Sequence, residues 1–235
     1  MKKEMIVLEK FHCIDLTHEL HGEIPTWSGS CGFVKEMKMD YPDGCRVLSY
    51  KMHAGVGTHL DAPSHFIPGG RDVEMLAPDE LIVPLCVIDV QKKSHSDYLI
   101  AKEDIQEYEN RYGLIPEKSL VVGLTGWDKF WNVPDKYRNS DASGKKHFPG
   151  FSIEAAEHLI EREIAGIGID TLSPDGTNTG FPVHELILGS SKYIVENLTY
   201  LQKLPPKGAF VIIFPLKIQG GAESAVRAVA LLPLS

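Results

Sequence analysis

Short apolar runs, rich in β-branched and aromatic residues and closed off by Pro or Gly, recur at 11–17, 33–39, 46–53, 82–90, 119–124, 165–170, 209–216 and 225–232. Each reads as a strand. The helical signal is sparser and predicts helices over 101–112, 152–162 and 190–201. The second of these opens at Ser152 and carries Ile153, Ala156, Leu159 and Ile160 on one stripe. The first ends at Gly113, where a left-handed cap is expected. More strands than helices, in irregular order, predict a mixed α/β layered fold rather than a regular βαβ array. The longest apolar stretches, LIVPLCVIDV, GAFVIIFPL and AVRAVALLPL, fall far short of the ~20 residues that a bilayer span needs and read as buried strands.

Composition narrows the partners. No linker or repeat divides the 235 residues, so one domain over 1–235 is expected, and an apolar content of 43% suffices for a sizeable core. A formal charge of −8 argues against a nucleic-acid or anionic-membrane partner. The N-terminal stretch MKKEMIVLEKFHCIDLTHEL has no apolar run fit for a signal peptide, and a cytoplasmic location is expected. Cys13, Cys31, Cys45 and Cys86 show no C-x-x-C spacing and read as free thiols. No G-x-G-x-x-G or P-loop is present, so neither a dinucleotide nor a nucleoside triphosphate is indicated.

Candidate chemistry concentrates in MHAGVGTHLDAPSHFIPGGRD, residues 52–72, which holds three histidines and an aspartate within 13 residues. His59 and Asp61 are two apart, so on an extended backbone they face the same way. Pro63 forbids continuing that segment as a helix and biases Ala62 to extended geometry. His65 lies beyond the bend, where it could turn back toward the same point. Neutral imidazoles converging with an ionised carboxylate suit Zn²⁺ or Mn²⁺. Taken singly, each of these residues is more often an ordinary polar or turn residue. Crowded near a buried strand, they need partners.

The segment G-T-H-L-D-A-P-S-H-F at 57–66 resembles the signature H-x-G-T-H-x-D-x-P-x-H-F of the putative cyclase family, which includes bacterial kynurenine formamidases (arylformamidases) and isatin hydrolases. Other pieces agree in order: Asp15-Leu16-Thr17 with Pro25, Thr125-Gly126-Trp127, G-I-D-T-L-S-P-D at 168–175, His184, Glu196, and P-L-K-I-Q-G-G-A-E-S-A-V-R-A at 215–228. The resemblance implies a layered β/β/α swivelling domain that forms homodimers or homotetramers. It implies a metal-dependent hydrolase that opens a small-molecule amide, N-formyl or cyclic, with water activated by one or two Zn²⁺ or Mn²⁺ ions. His59 would ligate one metal, Asp61 would be shared, and His184 and Glu196 would complete a second position. His65 would be the general acid/base rather than a ligand.

The pattern breaks at one place. The family's first histidine falls on Gly55, and His53, two residues upstream, is the candidate substitute. On a straight strand His53 would stand about 20 Å from His59, so only a turn through the glycines could unite them. A degenerate member that binds a small molecule or metal without turnover is therefore the alternative reading. The distal pair needs a break too, because twelve residues of continuous helix rotate by about 120°, and Gly189-Ser190-Ser191 is expected to supply it. Trp27, Phe66 and Trp127 are candidates to pack on a flat substrate, although each is more often core. Asp170 either orients a ligand or ties down a turn. A cysteine nucleophile at Cys45 or Cys86 has no local signature to support it.

Overall fold

The apolar runs at 82–89 and 120–124 become neighbouring parallel strands, as expected of strands buried on both faces, whereas those at 209–215 and 223–233 pair antiparallel. The computed structural model describes residues 7–30 and 32–234. Its strands are β1 (Phe11–Asp15), β2 (Phe33–Met39), β3 (Val47–Met52), β4 (His59–Asp61), β5 (Ile82–Asp89), β6 (Leu99–Ile100), β7 (Leu120–Leu124), β8 (Gly150–Phe151), β9 (Gly166–Ile169), β10 (Tyr193–Glu196), β11 (Ala209–Pro215) and β12 (Glu223–Pro233). The helices are α1 (Lys102–Tyr112), α2 (Pro134–Arg138), α3 (Ile153–Glu161) and α4 (Pro182–Gly189).

One sheet runs in the order β1-β12-β11-β5-β7-β9-β10-β4, with β5, β7, β9 and β10 parallel. Strand β4 also pairs with β12, which closes the sheet on itself and gives the arrangement a barrel-like character. Side chains alternate across it with a period of two. Leu85, Val87, Leu120, Val122 and Val195 enter one core cluster, together with Val211, Ile213 and Leu60. Cys86, Ile88, Val121, Ile167, Ile169 and Ile194 enter the opposite cluster, where Ile105 and Tyr108 of α1, Ala155 and Leu159 of α3, and Val183 and Ile187 of α4 cover them. This is the mixed α/β fold that the sequence predicted. Strands β2 and β3 form a separate two-stranded ribbon that exposes Val34, Met37, Val47 and Tyr50. Among the described residues no helix is long and apolar enough to cross a membrane.

Local punctuation behaves as its chemistry dictates, with two departures. Ser152 caps α3, its hydroxyl accepting from the Ala155 amide at 3.1 Å. Gly113 does end α1 at positive φ, but at φ 83° and ψ 165°, outside the left-handed helical well that was expected there. The helix expected over 190–201 is absent. Helix α4 ends at Gly189, Ser191 turns at φ 58°, and Tyr193–Glu196 is a strand. A short apolar run such as YIVE suits either element. It becomes a strand because β9 on one side and β4 on the other both offer it ladder partners.

Helices α1 and α3 are tied by a polar staple. Glu109 accepts from Arg162 Nε at 2.7 Å and Nη2 at 3.0 Å, and its other contacts are the Ile115 amide and His158 Nε2 at 3.3 Å. The guanidinium, together with these donors, holds the Glu109 carboxyl down at about 2, against the opposing effect of burial. A carboxyl depressed in the folded state stabilises fully above its unfolded value and loses that contribution as pH falls toward the folded one. Glu109→Gln is accordingly expected to cost about 2 kcal/mol at pH 7. Urea unfolding of both proteins should show this gap narrowing below about pH 4.5 as the wild type approaches its folded pKa.

Candidate metal centre

Strand β4 is only three residues long, and its alternation decides what the molecule presents. Leu60 points into the core, while His59 and Asp61 point to the other face. Cross-strand pairs share a face. Glu196 of β10 lies opposite His59, and Glu223 of β12 lies opposite Asp61, so three adjacent strands deliver a histidine and three carboxylates to one spot. Beyond β4 the chain bends at Pro63 into a 3₁₀ turn ending at His65, after Ala62 in extended geometry. That turn folds His65 back to the same cavity, and α4 brings His184 from above.

Each of the two most buried carboxylates spans two imidazoles. Glu196 Oε2 lies 3.3 Å from His59 Nε2, and its Oε1 lies 3.3 Å from His184 Nε2. Asp61 Oδ1 lies 3.4 Å from His59 Nε2, and its Oδ2 lies 3.6 Å from His184 Nε2. Ligand-capable atoms of His59, Asp61 and Glu196, and of Asp61, His65 and His184, form two overlapping groups that share Asp61. The sequence expectation placed Glu196 with His184 in the second position, around a shared Asp61; here Glu196 also reaches His59.

Both inner histidines have their ring orientation fixed from behind. His59 Nδ1 sits 2.9 Å from the Gly57 carbonyl, which can only accept, so Nδ1 carries the proton and Nε2 faces the site. His184 Nδ1 lies 2.5 Å from Asp175 Oδ2, and Asp175 also accepts the Val183 and His184 amides at the start of α4. A carboxylate gripping the rear nitrogen of an imidazole is a standard device for aiming a ligand at a metal. Burial opposes a charge on His59, yet Asp61 and Glu196 raise its pKa to about 10. Burial also opposes protonation of His184, and Asp175, Asp61 and Glu196 carry it well above the ordinary value.

The residues fit a divalent cation by a direct criterion. Asp61 is 1% exposed, and neither carboxylate oxygen has a hydrogen-bond partner. Such a group is costly unless positive charge compensates it. Imidazole nitrogens and carboxylate oxygens are the donor types that Zn²⁺ and Mn²⁺ accept.

Other candidates divide. Trp27 and Phe66 line the cavity, of about 400 Å³, together with Phe181, whose ring lies 5.5 Å from Trp27 and 5.6 Å from Phe66. Trp127 does not reach it. Its indole is buried among Tyr137, Phe148 and Trp131 and donates to the Tyr137 carbonyl at 2.9 Å. Asp170 ties down a turn, accepting from the Thr125 hydroxyl and from the amides of Thr125, Gly126 and Trp127. Burial pushes Asp170 up to about 7 while the Thr125 donors pull the other way. The orienting carboxylate is instead Asp175, five residues on. His53 is exposed, its ring packed beside Gly32 and outside the cavity, so the glycines do not turn it toward His59. Cys13 and Cys45 are exposed free thiols and Cys86 is a buried one, none lining the cavity, while Cys31 lies outside the described residues. Sequence reasoning gave no role to Asp175, Phe181 or Glu223, although Asp175 and Glu223 sit inside segments that carry the resemblance.

Comparison with known proteins identifies the family and the fold. The family model described as Putative cyclase matches residues 14–176. The isatin hydrolase of Roseibium aggregatum is 36% identical over 189 residues, covering 75% of this chain and 71% of that protein. The kynurenine formamidase of Bacillus cereus is 26% identical over 219 residues, covering 92% of this chain and 95% of its own length. The solved structure of isatin hydrolase A from Ralstonia solanacearum superposes with a TM-score of 0.88 at 31% identity, over 95% of this chain and 93% of its own. The enzyme class implied by the sequence, a hydrolase of non-peptide C–N bonds, is the class to which these relatives point. With more than half its length matched by the family model and more than a third of the aligned positions shared with the Roseibium enzyme, the chain belongs to the putative cyclase family.

Proposed function

We propose that this hydrolase opens the amide of a small, flat substrate, an N-formyl or cyclic amide, at a centre of one or two Zn²⁺ or Mn²⁺ ions held by His59, Asp61, His184 and Glu196. The observation that carries the reading is Asp61, fully buried between two imidazole Nε2 atoms with neither oxygen hydrogen-bonded. A divalent ion there supplies two things: it acidifies water and it polarises a carbonyl.

The remaining chemistry belongs to the chain. His65 lines the cavity and is partly exposed. It takes the proton of the attacking water and returns it to the departing nitrogen. His59 and His184 are held from behind by the Gly57 carbonyl and by Asp175, so they enter the reaction aligned. The aromatic wall of Trp27, Phe66 and Phe181 suits one face of a planar compound, and a cavity of about 400 Å³ suits a ligand of one or two rings. The binding-only alternative rests on Gly55. Under that alternative His65 would serve as a ligand beside Asp61 and His184, and loss of metal in His65→Ala would favour it.

Elemental analysis of protein purified without chelator is expected to find one or two equivalents of Zn or Mn per chain, lost in His59→Ala and His184→Ala. No metal after reconstitution with either ion would remove the proposal. His65→Ala should keep its metal and lose roughly 10²–10⁴-fold in kcat on aryl formamides or cyclic amides, and unchanged turnover would exclude His65 as the base. Asp175→Asn frees the His184 ring, and titration should show metal affinity falling roughly 10–100-fold. Stripping an ion present at ~1,000 times its Kd removes about 4 kcal/mol, so calorimetry should record a Tm roughly 8–16 °C lower.

A further inference from the structure

Glu223 has no part in the reaction described above, yet its carboxylate lines the same cavity. It stands on β12 directly opposite Asp61 of β4, on the same face of the sheet. Like charges placed directly across a ladder repel, and Asp61 already has no hydrogen bond with which to offset its burial. Two carboxylates in that position call for a cation between them.

Gly55 shows where the Glu223 carboxylate goes. A Cβ built at position 55 would overlap Glu223 Oε1 and would lie 3.2 Å from His59 Nε2. Glu223 Oε1 and the ligand nitrogen of His59 therefore converge on the space that a side chain at 55 would fill. Gly55 is not among the glycines at positive φ, so its backbone does not demand a glycine, whereas the room taken by Glu223 does. In the family signature this position is a histidine.

The geometry points to Glu223 as a metal ligand, admitted by Gly55 into the space of the missing side chain and completing the set of His59, Asp61 and Glu196. The assignment rests on the metal-centre reading above. It exchanges a nitrogen donor for an oxygen donor, leaving one imidazole and three carboxylates. Such a set shifts preference toward a harder ion, Mn²⁺ over Zn²⁺. The second oxygen, Oε2, lies 3.5 Å from His65 Nδ1, so the rival role for Glu223 is merely to orient that ring.

Metal-free wild type, Glu223→Gln, Gly55→Ala and the double variant Gly55→His/Glu223→Ala would each be titrated calorimetrically with MnCl₂ and with ZnCl₂. Thermal unfolding of every protein would be followed with and without metal. Glu223→Gln is expected to weaken Mn²⁺ binding at least about tenfold, by comparison with the 10–100-fold effect of losing a group that only supports a ligand. Its metal-free form should unfold no earlier than wild type, because a charge facing Asp61 has been removed. Gly55→Ala changes no titratable group and should weaken Mn²⁺ in the same direction by displacing the carboxylate. The double variant should regain affinity and shift its preference toward Zn²⁺. Wild-type Mn²⁺ affinity in Glu223→Gln would leave only the orienting role, overturning the ligand assignment while the metal centre stands. A metal-free Glu223→Gln that unfolds much earlier than wild type would mark a structural residue and also overturn it. Failure of the wild type to take up either ion would instead sink the metal-centre reading itself.

Discussion

An ionised carboxylate taken out of water costs several kcal/mol unless charge or hydrogen bonds replace its hydration, and Asp61 is enclosed at 1% exposure with no hydrogen bond to either oxygen. Its neighbours include two histidines and two further carboxylates, and of these only the histidines offer it compensating charge. Two imidazole nitrogens stand at 3.4 and 3.6 Å, and their pKa values are lifted by the same carboxylates that they face. A site that raises histidines in this way attracts cations, and a bound ion would take over the role of those protons.

The fold is what makes this crowding possible. Strand β12 is eleven residues long and uses one edge twice, pairing β4 through Glu223–Ala225 and β1 through Val229–Pro233. Its early pairing inserts the three-residue β4 between β10 and β12, so Glu196, Asp61 and Glu223 come from three neighbouring strands. A longer β4 is prevented by Pro63, which lacks the amide for a further ladder bond. The same proline starts the turn that returns His65 to the cavity.

Fine positioning comes from the backbone just outside the strands. Gly57, at φ 64°, directs its carbonyl at both His59 Nδ1 and the Asn197 side chain, each at 2.9 Å. Asn197, at φ 55°, follows Glu196 directly and is held in turn by the Tyr137 hydroxyl at 2.9 Å, while its own carbonyl accepts from Thr58 at 2.7 Å. Asparagine tolerates the left-handed region better than most residues. One small network thus ties the histidine of one strand to the residue that follows the glutamate of another.

The sequence by itself determined the elements whose signal is local. Residues 82–90 and 119–124 are apolar enough to be strands in almost any context, and Ser152 caps a helix because its hydroxyl reaches an amide three residues on. His59, Asp61 and His65 were legible as one constellation because a period of two and a proline bend act within seven residues. The segment 190–201 was misread because YIVE carries no period of its own, and only flanking strands made it a strand. Orientation of His184 was assigned to no residue, since Asp175 meets it across a loop whose path no local rule fixes. Glu223 lies 162 positions from Asp61 in the chain and directly beside it in the sheet. Pairing register over such a span is set by closure of the whole sheet, so which carboxylates share the cavity was decided by the tertiary structure alone.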